Sequence, residues 1–169
     1  MILAAIITKC TSKGPVLFKQ ERIGRNGKPF KILKFRSMRV DAPEIGAEGM
    51  TVEEQQRMCT RWGRFMRKTS IDEFPQLLNI LVGQMPFIGP RPGMVDNQEY
   101  LTEERQSYVP SPLLVRPGLS GYSQIYLHRE HDPKKKAMMD SHYVENIHFG
   151  MDTRIFCRSL LAIFGLWGR

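Results

Sequence analysis

Residues 67 to 92 constrain this chain more than any other stretch, because proline and charge fix where a helix can begin inside it. The run reads Arg67-Lys68-Thr69-Ser70-Ile71-Asp72-Glu73-Phe74-Pro75-Gln76-Leu77-Leu78 and closes on Gly89-Pro90-Arg91-Pro92. Phe74, Leu77, Leu78 and Leu81 recur at helical spacing, so a helix is expected here. Two starts are compatible. Ser70 with Glu73 three residues later matches a capping box, which leaves Pro75 fifth, where it costs a hydrogen bond. Asp72 as N-cap puts Pro75 at the third position, where no intrahelical N–H is needed, and is the preferred start. Either start sets Asp72 and Glu73 among free N–H groups at the positive helix end, which predicts ionised carboxylates.

An ionised aspartate at such a place is a candidate nucleophile or metal ligand. The cations Arg67, Lys68 and Arg91 are of the type that holds phosphate oxygens. An Asp-Glu pair at a helix start also serves as an ordinary cap. Two prolines around Arg91, however, stiffen a turn that presents a cation, which is more than a cap requires.

The chain has 169 residues, the size of one domain with a real core. Lys and Arg number 25 against 17 acids, a net charge of +8 that suits an anionic partner: nucleic acid, an anionic membrane surface or a phosphorylated substrate. Cys10, Cys59 and Cys157 are odd in number and far apart, which argues against a disulfide framework or a metal knuckle and for a reducing compartment. No signal-peptide pattern is apparent, and no run of about 18 uncharged apolar residues could cross a bilayer.

Taken in order, Met1 to Ile7 is an apolar stub, helix or strand, ended by Lys9. Val16–Ile23 and Phe30–Phe35 flank Gly24-Arg25-Asn26-Gly27, a hairpin with a strong turn signal, and Arg22, Lys31, Lys34 and Arg36 exceed its need for solubility. Asp41 to Gly49 reads as a surface loop. Thr51 with Glu54 is a second capping box, opening a helix that runs through Met58, Trp62, Phe65 and Met66 and delivers Arg67. Thr102-Glu103-Glu104-Arg105 starts a short helix. Val115 to Gln124 reads as an extended loop jointed by glycine, with Arg116 beside Pro117 and Gly118 able to approach a phosphate closely. His128 and His131 read as a polar loop rather than metal ligands, and Lys134-Lys135-Lys136 as a solvated face. Asp152 to Arg169 is amphipathic, suited to packing on the core or to lying in a membrane interface.

Four ordered motifs resemble one family, the bacterial sugar transferases or monotopic phosphoglycosyl transferases. They are Lys34-Phe35-Arg36-Ser37-Met38, Ser70 to Leu77, Gly89-Pro90-Arg91-Pro92 and Val115-Arg116-Pro117-Gly118-Leu119-Ser120-Gly121. Asp140-Ser141-His142-Tyr143-Val144 is similar to a further Asp-x-x-Tyr-Val segment. Family members commonly continue from the last loop into Gly-Arg-Asn, where this chain has Ile125 to Asp132. The resemblance implies an α+β fold, a mostly helical single domain around a β-hairpin, monotopic at the membrane interface on the cytoplasmic face of the bacterial inner membrane. Residues 1–169 are then the catalytic domain, lacking the first half of an N-terminal re-entrant membrane helix that breaks near a Ser-Pro.

The implied activity transfers a sugar-1-phosphate from a nucleotide diphosphosugar, a UDP-sugar, to a polyprenyl phosphate, initiating surface polysaccharide such as capsule, O-antigen or exopolysaccharide. The implied route is covalent: Asp72 attacks phosphorus and a lipid phosphate then takes the phosphosugar. Mg²⁺ is the expected cofactor, held by Asp72 and Glu73, since it prefers one or two carboxylates plus substrate oxygens. Lys34, Arg36, Arg67, Arg91, Arg116, Gln124 and Asp140 are the expected substrate and phosphate contacts. A homo-oligomer is compatible with the sequence. Nucleic acid is not an expected partner, for no such motif appears and aromatics are not interleaved with the cations. The competing class is a catalytically inactive or truncated member acting as a basic membrane-binding module.

Overall fold

The computed structural model describes residues 1–42, 51–93, 99–127 and 132–163. The fold is, among the described residues, α+β and mostly helical, with one antiparallel hairpin, as expected. Among the described residues no helix is long and apolar enough to cross a membrane. The chain divides into two compact units, residues 1–20 with 32–78, and residues 21–31 with 79–169.

The first unit is built on α1 (Ile2–Thr11), which resolves the apolar stub as a helix. Only one stripe of it is covered. Ala4 and Thr8 are buried, one turn apart, while Ile2, Leu3 and Ile6 stay exposed. Thr8 donates to Ala4 O at 2.8 Å and accepts from Trp62 Nε1 at 3.1 Å, so its hydroxyl is satisfied within the core. Ala4, Phe35 and Met66 form that core, with Val16, Leu17, Trp62 and Ile71 against it. The hairpin strands are β1 (Leu17–Ile23) and β2 (Pro29–Phe35).

The single helix expected from Thr51 to Met66 is two: α2 (Val52–Met58) and α3 (Arg61–Lys68). Cys59 leaves the helix to bridge Met38, and Thr60 caps the new start by accepting from Gly63 N at 2.8 Å. That cap, a strong local signal, overrides the continuous apolar period. The Thr51–Glu54 capping box is present and reciprocal, with Thr51 N donating to Glu54 Oε2 at 2.8 Å and Glu54 N to Thr51 Oγ1 at 3.2 Å. Most of the loop expected over Asp41–Gly49 lies outside the described residues. Both units contribute to α4 (Gln76–Leu81), whose Phe74-flanked apolar pattern faces solvent at Leu78 and, 81 % exposed, at Leu81.

The second unit contains α5 (Glu99–Ser107), α6 (Tyr122–Tyr126), α7 (Pro133–Glu145) and α8 (Phe149–Ile163). Its core is Ile88, Tyr143 and Ile155, with Tyr122, Ile125, Val144 and Met151. The extended loop expected over Val115–Gln124 holds only to Gly121, because Tyr122 starts α6. In α8 Ile155 is buried, whereas Phe149, Phe156, Leu160, Leu161 and Ile163 are exposed. Amphipathicity there is real, and most of the apolar stripe has no protein cover among the described residues. His128 and His131 lie outside the described residues.

Candidate active site

The acidic pair sits on a turn tighter than the sequence predicts. Leaving α3, Ser70 adopts a left-handed backbone (φ 57°), and Ile71–Glu73 forms one turn of 3-10 helix. Main-chain carbonyls close it, with Glu73 N donating to Ser70 O at 3.2 Å and Phe74 N to Ile71 O at 3.1 Å. Ser70 makes no side-chain cap, and Asp72 is not the N-cap of an α-helix. Neither proposed start is the observed one. The α-helix begins later, at Gln76, so Pro75 precedes it and costs nothing.

This changes the electrostatics of Asp72. A three-residue 3-10 turn carries little of the dipole that a full helix would supply. Asp72 is 8 % exposed, and burial raises its carboxyl above the usual aspartate range. Lys34 opposes that rise, Glu73 adds to it, and Arg67 and the backbone N–H of Asp72 oppose it. The expected easily ionised aspartate is therefore a partly desolvated one that depends on neighbouring cations. Lys34 also donates to Glu73 Oε1 at 2.7 Å, in a partly buried ion pair. The unit thus brings Lys34, Arg67, Asp72 and Glu73 into one charge cluster. Arg67 Nη1 lies 3.6 Å from Cys59 Sγ.

Arg36 stands apart from that cluster in its contacts. It is buried, and its Nη2 donates to Ser12 O at 2.9 Å, tying β2 to the chain that leaves α1. Its Nε and Nη1 have no hydrogen-bond partner among the described residues.

In the second unit the Gly-Pro-Arg-Pro turn is held through its own carbonyl oxygens. Gly118 N donates to Pro90 O at 2.9 Å, Arg105 Nη2 to Arg91 O at 2.7 Å, Arg22 Nη1 to Pro92 O at 3.3 Å and Ile23 N to Gly93 O at 2.9 Å. Gly89 and Gly118 let the two loops touch: a Cβ on Gly89 would lie 2.6 Å from Arg116 O, and one on Gly118 would overlap Gly89 N. Ile88 and Ser120 accordingly form a parallel bridge. Arg91 is half-buried and Arg116 exposed. Gln124 lies on α6, and its Oε1 is buried without a partner among the described residues.

Asp140 is 0 % exposed on α7 and accepts from Arg105 Nη2 at 2.8 Å. Burial raises its carboxyl, while Arg105 and Ser123 lower it. Sequence reasoning marks Asp140 as a contact of its own and passes over Arg105, which looks like one more surface charge on a polar helix. Nothing in the sequence around Arg105 distinguishes it, because its two partners lie 14 and 35 residues away. A cavity of about 260 Å³ between α6, α7 and α8, lined in part by Tyr122, Tyr126, His142 and Arg154, includes none of the expected site residues.

Among the described residues no group of three or more His, Cys, Asp or Glu could hold a metal ion. Asp72 and Glu73 still supply the hard oxygen donors that Mg²⁺ takes from a protein when substrate oxygens complete its shell. The donor chemistry fits, with Glu73 Oε1 engaged by Lys34.

Comparison with known proteins follows the motifs. Residues 1–165 match the family model described as bacterial sugar transferase. The exopolysaccharide production protein PSS of Rhizobium leguminosarum bv. phaseoli is 36 % identical over 174 residues, covering 96 % of this chain and 84 % of the relative. A UDP-N-acetylgalactosamine-undecaprenyl-phosphate N-acetylgalactosaminephosphotransferase of Aeromonas hydrophila is 33 % identical, covering 99 % of this chain and 40 % of the relative. A UDP-glucose:undecaprenyl-phosphate glucose-1-phosphate transferase of Xanthomonas campestris pv. campestris is 32 % identical, over 98 % of this chain and 35 % of the relative. The chain thus spans most of the first relative and well under half of the other two.

Proposed function

The chain belongs to the bacterial sugar transferase family, and we propose that it moves a sugar-1-phosphate from a UDP-sugar to a membrane polyprenyl phosphate. It is an enzyme of the phosphotransferase class, acting at the cytoplasmic face of the bacterial inner membrane. Exposed apolar residues on α1 (Ile2, Leu3, Ile6) and on α8 (Phe149, Phe156, Leu160) suit such an interface.

One observation carries the chemical reading: a buried aspartate, Asp72, whose charge is supported by Lys34 and Arg67 and whose neighbour Glu73 is ion-paired to Lys34. Displacement at phosphorus between two anions is opposed by charge repulsion, so fixed cations and an oriented nucleophile are what the site must supply. A carboxylate held in a water-poor setting is a stronger nucleophile than a solvated one. In the proposed first half-reaction, an Asp72 carboxylate oxygen attacks the phosphorus bearing the sugar. The bond from that phosphorus to the bridging oxygen breaks, and UMP leaves with the electron pair. In the second, an oxygen of polyprenyl phosphate attacks the same phosphorus and the aspartyl–phosphorus bond breaks. Polyprenyl diphosphosugar is formed and the Asp72 carboxylate returns.

Mg²⁺ would be held by Asp72 and Glu73 and would supply charge neutralisation on the phosphate oxygens when bound. Lys34 and Arg67 are assigned to phosphate oxygens in the first unit. Arg91 and Arg116 carry the same assignment from their motifs, and Gln124, with its unpaired acceptor, is assigned a polar donor of the substrate.

The test omits the lipid. Chain, Mg²⁺ and UDP-sugar alone should release one UMP per site and add a hexose-phosphate mass to the peptide carrying Asp72. UMP release only after polyprenyl phosphate is added would instead mean direct transfer, with Asp72 reassigned to the metal and Glu73 to base catalysis.

A further inference from the structure

The Pro90–Gly93 carbonyls accept from Gly118 N, Arg105, Arg22 and Ile23 N, one donor each. Gly118 N and Ile23 N are main-chain donors, and Arg22, a buried arginine of β1, reaches Pro92 O with one longer contact of 3.3 Å. Arg105 differs. It is 4 % exposed, and a single nitrogen, Nη2, serves both Arg91 O (2.7 Å) and the buried carboxylate oxygen Asp140 Oδ2 (2.8 Å). Burying a guanidinium is costly unless it is paired and hydrogen-bonded, and a plain core would be at least as stable without it. A buried ion pair whose cation also grips the carbonyl of a proline-flanked arginine has a directional effect that apolar packing lacks. Asp140 aims the fork from α7, and Ser111 Oγ, donating to Arg105 O at 2.8 Å, fixes the main chain of Arg105 itself.

We propose that Arg105, oriented by Asp140, is a positioning residue that fixes the Pro90-Arg91-Pro92 turn and thereby sets the guanidinium of Arg91 for the phosphates of the nucleotide. The functional half of this inference rests on the reading of Arg91 as a phosphate contact. It also reassigns Asp140. A carboxylate with no solvent exposure, already bound to Arg105, acts on the site through that arginine.

Removing one partner would strand a buried charge, so the informative variant removes both: Arg105→Met with Asp140→Asn, which keeps volume and the Asp shape but deletes the donor to Arg91 O. Two measurements on the full chain decide the matter. Calorimetric titration with Mg²⁺ and UDP should show Kd raised roughly tenfold at unchanged stoichiometry, about the effect of one charged hydrogen bond. A merely structural loss would lower the stoichiometry and leave Kd alone. Amide hydrogen exchange should quicken at Gly118 and Ile23, whose N–H groups bond to Pro90 O and Gly93 O, and not in α8. Arg105→Lys, which keeps charge and a donor but not the planar fork, should recover part of the affinity. In an Arg91→Ala background the double change should add nothing to Kd.

Unchanged Kd in the double variant, where Arg91→Ala alone weakens UDP, overturns the proposal. So does unchanged exchange at Gly118 and Ile23. If Arg91→Ala leaves UDP affinity intact, the phosphate reading of Arg91 fails and takes the functional half with it. The clamp itself is then upheld by faster exchange or overturned by its absence.

Discussion

The turn carrying Asp72 and the turn carrying Arg91 are held by opposite means. At Ile71–Glu73 three residues of 3-10 helix are closed by two main-chain bonds, and the side chains are governed by charge: Lys34 on Glu73, and Lys34, Glu73 and Arg67 around Asp72. At Pro90–Gly93 the backbone itself is gripped, carbonyl by carbonyl. The first arrangement leaves a carboxylate under desolvation stress; the second leaves a cation on a fixed support. Reacting groups gain from being poorly satisfied before substrate arrives, whereas binding groups gain from being already ordered. Under the roles proposed for Asp72 and Arg91, the two turns divide along that line.

The largest effect expected from this contrast is at Asp72. Asp72→Asn should lower turnover by roughly 10⁴-fold or more, as removal of a covalent nucleophile does. It should leave the melting temperature unchanged or raised, because burial disfavours the charged form of Asp72 in the folded state and the amide has no charge to desolvate. Turnover assays beside thermal melts check both. A variant that is inactive and also markedly less stable would mean that Asp72 is satisfied in the fold, and the contrast between the turns would collapse.

Lys34 sharpens the same contrast. Lys34→Met removes the ion pair to Glu73 and the cation that most lowers the Asp72 carboxyl. The proposed attack needs the ionised carboxylate, and burial already raises the Asp72 carboxyl above the ordinary aspartate range. Losing Lys34 should raise it further, so the acid limb of the pH–rate profile moves to higher pH. At the acid end the rate should fall by roughly 10–100-fold, the range for a lost charged hydrogen bond. A profile displaced toward lower pH would break the assignment.

How much of this the sequence carried depends on the range of the interaction. The hairpin and the Thr51–Glu54 capping box are local and legible within four residues, whereas the equally local Ser70–Glu73 box does not form. The Thr60 cap was equally local but was masked by the apolar period of Met58, Trp62 and Met66 running across it. The 3-10 turn at Asp72 was hidden for another reason. Ser70 in a left-handed conformation redirects the chain, and a serine gives no warning of that. Asp72, Glu73, Lys34 and Arg91 stand in motifs that the sequence displays. That Lys34 meets Glu73 across 39 residues, or that Arg105 meets Arg91 O and Asp140, is a product of packing and has no trace in spacing.

Glycine contacts test the backbone-held side directly. Gly118→Ala should destabilise the chain by about 3 kcal/mol in urea unfolding, the upper end for overpacking, since its Cβ would meet the backbone of Gly89. Gly63→Ala should cost a similar amount in the other unit, where the Cβ would overlap Ser37 O. The activities should part company. Gly118→Ala should weaken UDP binding at 25 °C even where the protein is fully folded, because the turn bearing Arg91 is displaced. If Gly118→Ala is tolerated below about 1 kcal/mol, the loops are not held by close backbone approach.

The smallest effect is expected away from both turns, at the capping box that opens α2. Thr51→Ala removes the hydroxyl that accepts from Glu54 N and donates to Glu54 Oε2. Such exposed caps stabilise weakly, so the melting temperature should drop by no more than about 2 °C and turnover should not change. The pH dependence has a definite sign. The Thr51 backbone N–H and hydroxyl hold the Glu54 carboxyl below its ordinary value, so the folded state favours the ionised form. That contribution is present above the unfolded glutamate pKa and is lost as pH falls through the lowered folded value. Wild type and Thr51→Ala should therefore differ in stability near neutral pH and converge in acid. A change in turnover would be the more informative surprise. It would mean that α2 reaches the Asp72 cluster, and that the reactive turn is held by more than its local charges.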